Sequence, residues 1–231
     1  DNDASENIAI GHQAGMYLTT GDNNIAIGKE SGRYLGVGNA NISIGENAGT
    51  SSGTPADNTA ANNVSIGHDA GKALTTANHS VFIGSEAGCK VTTAASNIFI
   101  GKYAGRASET GNYNVLVGDK AGCGVTQGKN VFIGMYAGYT QTTGTYNVAI
   151  GPKTQLASTT GSKQLAIGCN ASNWVTGDED FNVCLAGSTI KAMNSGGIFC
   201  ATCFKGDGGA LTGISAGGFS ADADHNLMAS N

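Results

Sequence analysis

The sequence predicts an all-β chain: a parallel β-solenoid (β-roll) of about ten 17-residue coils with a distinct C-terminal β segment. The prediction rests on a glycine that recurs at a near-constant step, a β-branched run before each such glycine, and a repeat too short for a helical unit. The pattern Asn-aliphatic-x-aliphatic-Gly closes at Gly11, Gly28, Gly45, Gly67, Gly84, Gly101, Gly118, Gly134, Gly151 and Gly168, at steps of 17, 17, 22, 17, 17, 17, 16, 17 and 17 residues. A period held over most of a chain marks a repeat architecture.

The elements follow in the order of one repeat. Asn7-Ile8-Ala9-Ile10-Gly11 is β-branched and ends in Gly, which reads as a short strand. A polar pair comes next, then a small-Gly pair such as Ala14-Gly15, which is lost at Thr154-Gln155. A weaker second strand is expected around Leu18 or Val91, followed by a turn rich in Thr, Gly and Asn. A repeat of this length cannot hold a strand, a helix and two turns; two short strands and two tight turns fit. Coils stack about 4.8 Å apart, so ten make a rod of roughly 50 Å. Thr50 to Ala61, which carries Pro55 and the residues that lengthen one step to 22, reads as a loop bulging from its coil. Residues 1–187 form the solenoid domain, and residues 188–231 a C-terminal capping or connecting segment.

Ile8, Ile10, Ile25, Ile27, Ile42, Ile44, Val81, Ile83, Ile98, Ile100, Val131 and Ile133 share one strand face, because side chains alternate along a strand. They are expected to form the core columns. The opposite face, from Ala9 and Ala26 through Ser43 and Ser65 to Ala149 and Ala166, is also largely apolar. A strand apolar on both faces is buried on both. Phe82, Phe99, Leu116 and Phe132 on that second face are therefore expected to form a lateral interface with a neighbouring subunit. The Asn before the strand, recurring from Asn7 and Asn24 to Asn147 and Asn182, is expected to build an amide ladder and to suit turn geometry.

Composition narrows the function. Gly supplies 37 of 231 residues and charged residues 13%. That suits tight turns and neutral ladders, and the regularly placed aliphatics argue against a disordered chain. The net charge of −5, with no basic stripe, argues against nucleic acid. No run of about 18 apolar residues occurs, so no membrane insertion is expected. No signal-peptide pattern opens the chain.

Cys89 and Cys123 share a column two coils apart, about 9.6 Å by the coil spacing, which exceeds disulfide reach. Cys200-Ala-Thr-Cys203 has no second pair of matching spacing, and His12, His68, His79 and His225 do not complete a zinc site. Free, mostly buried thiols are expected, with a disulfide between subunits left open. No catalytic, metal or cofactor-binding residue is assigned, and no cofactor is expected. Lys29 beside Glu46, and Lys102 beside Asp119, are expected to pair across one coil step. Asp69 beside Glu86 sets like charges together. The recurrent Thr-Thr pairs, Thr75-Thr76 and Thr142-Thr143 among them, read as turn chemistry rather than an ice-binding array. Gly206-Asp207-Gly208-Gly209 lacks the Lys of a phosphate loop and reads as a turn.

The pentapeptides NIAIG, NISIG, NVFIG and NVAIG resemble the head repeats of trimeric autotransporter adhesins. The longer IG-x-x-AG-x-x-x-TTG-x-x-NV-x-IG is similar to repeats of phage tail fibres, over roughly Asn7 to Gly187. The adhesin repeat is shorter than this one. Gly206 to Ile214 is similar to a GDGSGLTGI segment of tail-fibre proteins of phages, including those of marine cyanobacteria. The resemblance implies a β-roll, commonly trimeric, in an extracellular or virion appendage, and it identifies no receptor-binding residue.

Asn226-Leu227-Met228-Ala229 ends the chain like the start of a strand, and Asp1 to Glu6 lead into Asn7 without a cap. Open strand edges are templates for pairing, and solenoids usually carry terminal caps. Asp1, Asn2 and Asn7 of one subunit are therefore expected to meet Asn226, Leu227 and Met228 of the next, a head-to-tail contact that makes open filaments. The expected function is that of a non-enzymatic structural, fibre-forming subunit of a phage tail fibre or extracellular filament. Its expected partners are copies of itself, head-to-tail or as a trimer. The alternative is an adhesin or receptor-binding head that contacts a host-surface glycan or protein through turn loops such as Thr50 to Ala61. A glycan-degrading tailspike would need paired carboxylates in a groove, whereas the acidic residues here are scattered over turns.

Overall fold

A computed structural model of the chain describes residues 4–51, 54–55, 58–170, 172–180 and 183–185, all within the unit Asp1–Ser188. Each coil contributes one short strand: β1 (Ile8–Ile10), β2 (Ile25–Ile27), β3 (Ile42–Ile44), β4 (Val64–Ile66), β5 (Val81–Ile83), β6 (Ile98–Ile100), β7 (Val115–Val117), β8 (Val131–Ile133), β9 (Val148–Ile150) and β10 (Leu165–Cys169). β11 (Ser172–Gly177) and β12 (Val183–Leu185) complete a 12-stranded sheet in chain order. β1 to β10 pair in parallel, each with its successor. The expected β-solenoid is therefore present. Neither irregular step disturbs the register: Ile42 pairs with Val64 across the long coil, and Val115 with Val131 across the short one.

The coil holds one strand, not two. Where the second strand was expected there is only an isolated bridge, Leu18 with Gly36; another, Ala61 with Asn78, lies in the turn before the next strand. Turns close in on that side from both directions. In the coil after β6, Gly101, Tyr103, Gly105 and Tyr113 take φ of 130°, 59°, 57° and 62°, and left-handed residues of this kind turn the chain out of the β region. Single coil-to-coil hydrogen bonds still cross there. The Thr75 N–H donates to the Thr92 carbonyl at 2.9 Å, and the Thr142 N–H to the Thr159 carbonyl at 2.8 Å. The hydroxyls of Thr75 and Thr142 bond to the same carbonyls, at 3.1 and 3.2 Å. These hydroxyls thus join neighbouring coils rather than their own turns.

Nine coils wind between β1 and β10, and the tenth does not close. After Cys169 the chain reverses, and β11 runs antiparallel along β10 with an irregularity at Ile167/Gly168; β12 runs antiparallel along β11. In earlier coils the second member of the small-Gly pair takes φ near +55°, as at Gly49, Gly71 and Gly88. In the tenth repeat Ser172 stands at that place, and a side chain resists that conformation. Gln155 holds the same place in the ninth coil without taking that conformation, and that coil still closes, so the loss of the glycine does not by itself end the solenoid; after Cys169 the segment extends into β11.

The core is the reverse of the one expected. The middle residue of each strand points inward: Phe82, Phe99, Leu116 and Phe132 are fully buried, and Ala26, Ala149 and Ala166 nearly so. The first and third residues, the expected core columns, lie on the outside. Ile8, Ile10, Ile98, Ile100 and Ile133 are exposed, and Ile25, Ile27, Ile42, Ile44, Val81, Ile83 and Val131 are only partly covered. The cross-section is the cause. A 17-residue loop encloses a narrow bore, and a three-residue strand can send only its middle side chain into it. The bore is filled by that column, by the small residues Ala48, Ala70, Ala87, Ala104, Ala121 and Ala137, and by Leu35, Leu74, Val91 and Val125 from the far side. The Phe82 and Phe99 rings meet edge-on, centroids 5.5 Å apart, and such pairs add to burial.

The Asn ladder is present as expected and is continuous. Each side-chain carbonyl accepts the backbone N–H one coil on: Asn7 from Asn24 at 2.7 Å, Asn97 from Asn114 at 2.8 Å, Asn114 from Asn130 at 3.0 Å and Asn147 from Gln164 at 2.8 Å. Ser80 fills one rung, its hydroxyl taking the Asn97 N–H at 3.1 Å. The Asn114 amide NH2 also donates to the Gly111 carbonyl of its own turn at 3.2 Å and to the Gln127 carbonyl one coil on at 3.0 Å. The Asn residues are not themselves left-handed. That conformation falls on the residue before each of them, Asn23, Tyr113 and Tyr146 included.

Two stability predictions follow from this geometry. Asn114→Ala strands buried backbone groups of two coils, at about 1–3 kcal/mol for each group left unpaired; chemical denaturation of the variant should show a midpoint well below that of the parent. Gly84→Ala should cost about 1–3 kcal/mol in backbone strain alone. Its φ is +123°, and an added Cβ would stand 2.7 Å from the Gly101 carbonyl carbon. A Gly84→Ala melting curve that overlays the parent's would contradict this.

Candidate functional site

With the interior closed, the chemistry the chain offers lies on its surface. Its largest feature is the pair of columns that were expected inside. Ile8, Ile25, Ile42, Val64, Val81, Ile98, Val115, Val131, Val148 and Leu165 form one, and Ile10, Ile27, Ile44, Ile66, Ile83, Ile100, Val117, Ile133, Ile150 and Ile167 the other. In-register pairing makes them a two-residue-wide aliphatic strip with no polar or charged member. At the coil spacing it runs about 43 Å. Val175 extends it on β11, opposite Ile167, and Val183, 62% exposed, stands opposite Gly177 on β12. The lateral-interface role expected of Phe82, Phe99, Leu116 and Phe132 cannot be theirs, since they face the bore; the strip on the other side of the same strands is the apolar surface left open. Contiguous exposed apolar surface of this kind marks an interaction site.

Charged columns line the corners. Lys29 and Glu46 pair at 2.9 Å as expected; the hydrogen bond to Lys29 holds the Glu46 carboxyl below the usual carboxylate range, and Glu46 raises Lys29 in turn. Both are largely exposed, so the pair adds little stability. Lys102 and Asp119 make no ion pair; Lys102 lies over the Tyr103 ring instead, 4.9 Å from its centroid. The like charges at Asp69 and Glu86 are resolved by separate cations, Lys72 at 3.1 Å from Asp69 and Arg106 at 3.0 Å from Glu86. Tyrosines and cations interleave along the same corner. Tyr17 and Tyr34 stack at 4.9 Å with Arg33 over both, and Lys120 lies over Tyr136 and donates to its hydroxyl at 2.9 Å.

Cys89, Cys123 and Cys169 are free and half-buried, less covered than the mostly buried thiols expected. Burial pushes the Cys89 and Cys123 thiols up, which opposes thiolate formation. Among the described residues no group of three or more His, Cys, Asp or Glu could hold a metal ion, and no helix is long and apolar enough to cross a membrane. The described ends of the long coil pack against the solenoid. The Thr50 hydroxyl donates to the Glu30 carbonyl at 2.9 Å, and the buried Asn58 amide to the Tyr34 carbonyl at 2.6 Å.

Of the residues expected to join subunits end to end, Asn7 begins the amide ladder. Asp1, Asn2, Asn226, Leu227 and Met228 lie outside the described residues, as do Asn182, Cys200, Cys203 and the Gly206–Ile214 segment. The far edge of β10 is taken by β11, so a second copy cannot extend the parallel ladder there. No protein family, curated protein or solved structure matches the chain.

Proposed function

We propose that this chain is a structural subunit of a fibre, a phage tail fibre or comparable extracellular filament, in which copies associate side by side through the aliphatic strip about a common axis, three at a time. The observation that carries this reading is the strip itself. Two unbroken columns of Ile, Val and Leu lie outside a bore that is already full. A second copy of the same chain suits it. The strip is uncharged and repeats once per coil, so identical copies can meet in register along it. A closed ring of three hides each strip from water without leaving an open end. The resemblance to trimeric fibre repeats points the same way. With the β10 edge occupied by β11, lateral packing replaces end-to-end ladder pairing at that edge as the assembly mechanism. The rigid core of stacked amides and aromatics supplies the stiffness a fibre needs.

Cross-linking with a short lysine-reactive reagent should give a ladder that stops at three chains. A ladder that continues without limit would favour the head-to-tail filament, and one that stops at a single chain would refute the proposal.

A further inference from the structure

The coil that begins at Asn114 is one residue shorter than its neighbours. The residue is lost from a turn: Thr126 is followed at once by Gln127, which takes the ladder place that Gly111 and Gly144 hold after Glu109-Thr110 and Thr142-Thr143 in the coils on either side. Gln127 moves in over Gly111, its carbonyl 2.7 Å from the place a Cβ on Gly111 would occupy. Outside the shortened turn the loss leaves an open cleft of about 460 Å³.

The walls and floor of this cleft differ in character. Tyr113 and Tyr146 stand on either side, 61% and 55% exposed. They lie two coils apart, about 10 Å at the coil spacing. Lys129 sits between them, its ammonium 2.7 Å from the Tyr146 hydroxyl and 4.8 Å from the centre of that ring. The floor is rich in donors. At this turn a side chain of the next coil can take a backbone N–H: Asn112 takes that of Ala95 at 2.6 Å, and Ser162 that of Thr145 at 3.0 Å. Gly128 has no side chain with which to take the N–H of Asn112. That N–H, the Asn112 and Gln127 amide NH2 groups and the Thr110 hydroxyl have no protein partner among the described residues. No carboxylate lines the cleft.

We propose that this cleft binds an acidic saccharide. Two amphipathic rings a disaccharide's length apart can each stack on the C–H face of a sugar ring while the Tyr113 hydroxyl stays in water and that of Tyr146 keeps its bond from Lys129. Lys129 faces the carboxylate or sulfate between them with charge-assisted hydrogen bonds, and the free amides take ring hydroxyls. The site depends only on the fold of one chain, and stands whether or not the strip joins three copies.

Isothermal titration with three defined probes tests this: hexagalacturonate for a carboxylate, a heparin hexasaccharide for a sulfate, and neutral maltohexaose. At least one acidic probe should bind and maltohexaose should not; the tighter acidic probe identifies the anionic group. Tyr113→Ala and Tyr146→Ala should each weaken binding about tenfold, and Ala fits this turn position, since Ala40 holds it at φ 54°. Lys129→Gln should remove the preference for the acidic probe. Tyr139→Ala, at another exposed turn, should leave affinity unchanged. The proposal falls if neither acidic probe binds at millimolar concentration, if the neutral probe binds equally, or if the Tyr113, Tyr146 and Lys129 variants bind as the parent does. It falls too if the tyrosine variants lose binding together with a change in light-scattering mass, because the rings then belong to a contact between subunits.

Discussion

Phe99→Asp should abolish the folded solenoid. Phe99 is fully buried in the bore between Phe82 and Leu116 in the coils on either side. Removing the ring alone costs about 3–5 kcal/mol, as for other buried Phe→Ala changes. Asp adds a carboxylate to a closed apolar bore, a further cost of several kcal/mol. The sum is comparable to the whole stability of an ordinary domain, about 5–15 kcal/mol. Circular dichroism of Phe99→Asp should therefore show loss of the β signal, and Phe99→Ala should keep the signal with a much lower melting temperature. A folded but dissociated Phe99→Asp chain would mean that this face joins subunits after all.

The second large effect is on assembly rather than folding. Ile98→Glu combined with Ile133→Glu should leave the solenoid intact and abolish side-by-side association. Both residues are 40% exposed in the single chain, and surface substitutions away from special features usually change stability by about 0.5 kcal/mol or less. They sit two coils apart, so the new charges do not stack directly on one another. In a trimer the same substitutions would bury six carboxylates against aliphatic side chains with no counter-charge, which no lateral packing survives. The contrast between Phe99 and its two strand neighbours, Ile98 and Ile100, assigns the two faces of β6 independently of any image of the molecule.

Much of the fold was legible because the period carries it. The glycine spacing gives the coil, the β-branched runs give the strand positions, and the Asn before each strand gives the ladder; all three appear where they were expected. The assignment of faces was not legible from apolarity, because both faces of each strand are apolar. A signal for it was nonetheless present. Where the middle strand residue is small, as at Ala26 and Ser65, the far side of the coil carries Leu35 or Leu74. Where it is large, as at Phe82, Phe99 or Leu116, the far side carries Val91, Ser108 or Val125. Such trading of volume occurs between side chains that share one bore. The Ile and Val columns, by contrast, hardly vary in size, as befits a strip that no other part of its own coil has to accommodate.

The second strand failed for a reason a sequence shows poorly. Left-handed residues occur at Tyr103, Lys120, Tyr136 and Lys153, and none of these is a turn-forming type. The ladder above and below holds them there: Tyr103 donates its N–H to Ser85 at 3.0 Å and Lys120 to Lys102 at 2.8 Å. The end of the solenoid was not marked by the loss of the second glycine, since Gln155 replaces it one coil earlier and that coil closes. The cleft at Lys129 was marked by the single 16-residue step, which reads as a lapse in period until the flanking tyrosines are placed beside it.

Whether the aliphatic strip joins copies of the chain is tested most directly by the light-scattering mass of the purified protein, run beside the Ile98→Glu, Ile133→Glu double variant. The parent should have the mass of three 23.1 kDa chains and the variant that of one, with identical circular dichroism. A parent that is a single chain at micromolar concentration, or a variant that keeps the parent's mass, would contradict it.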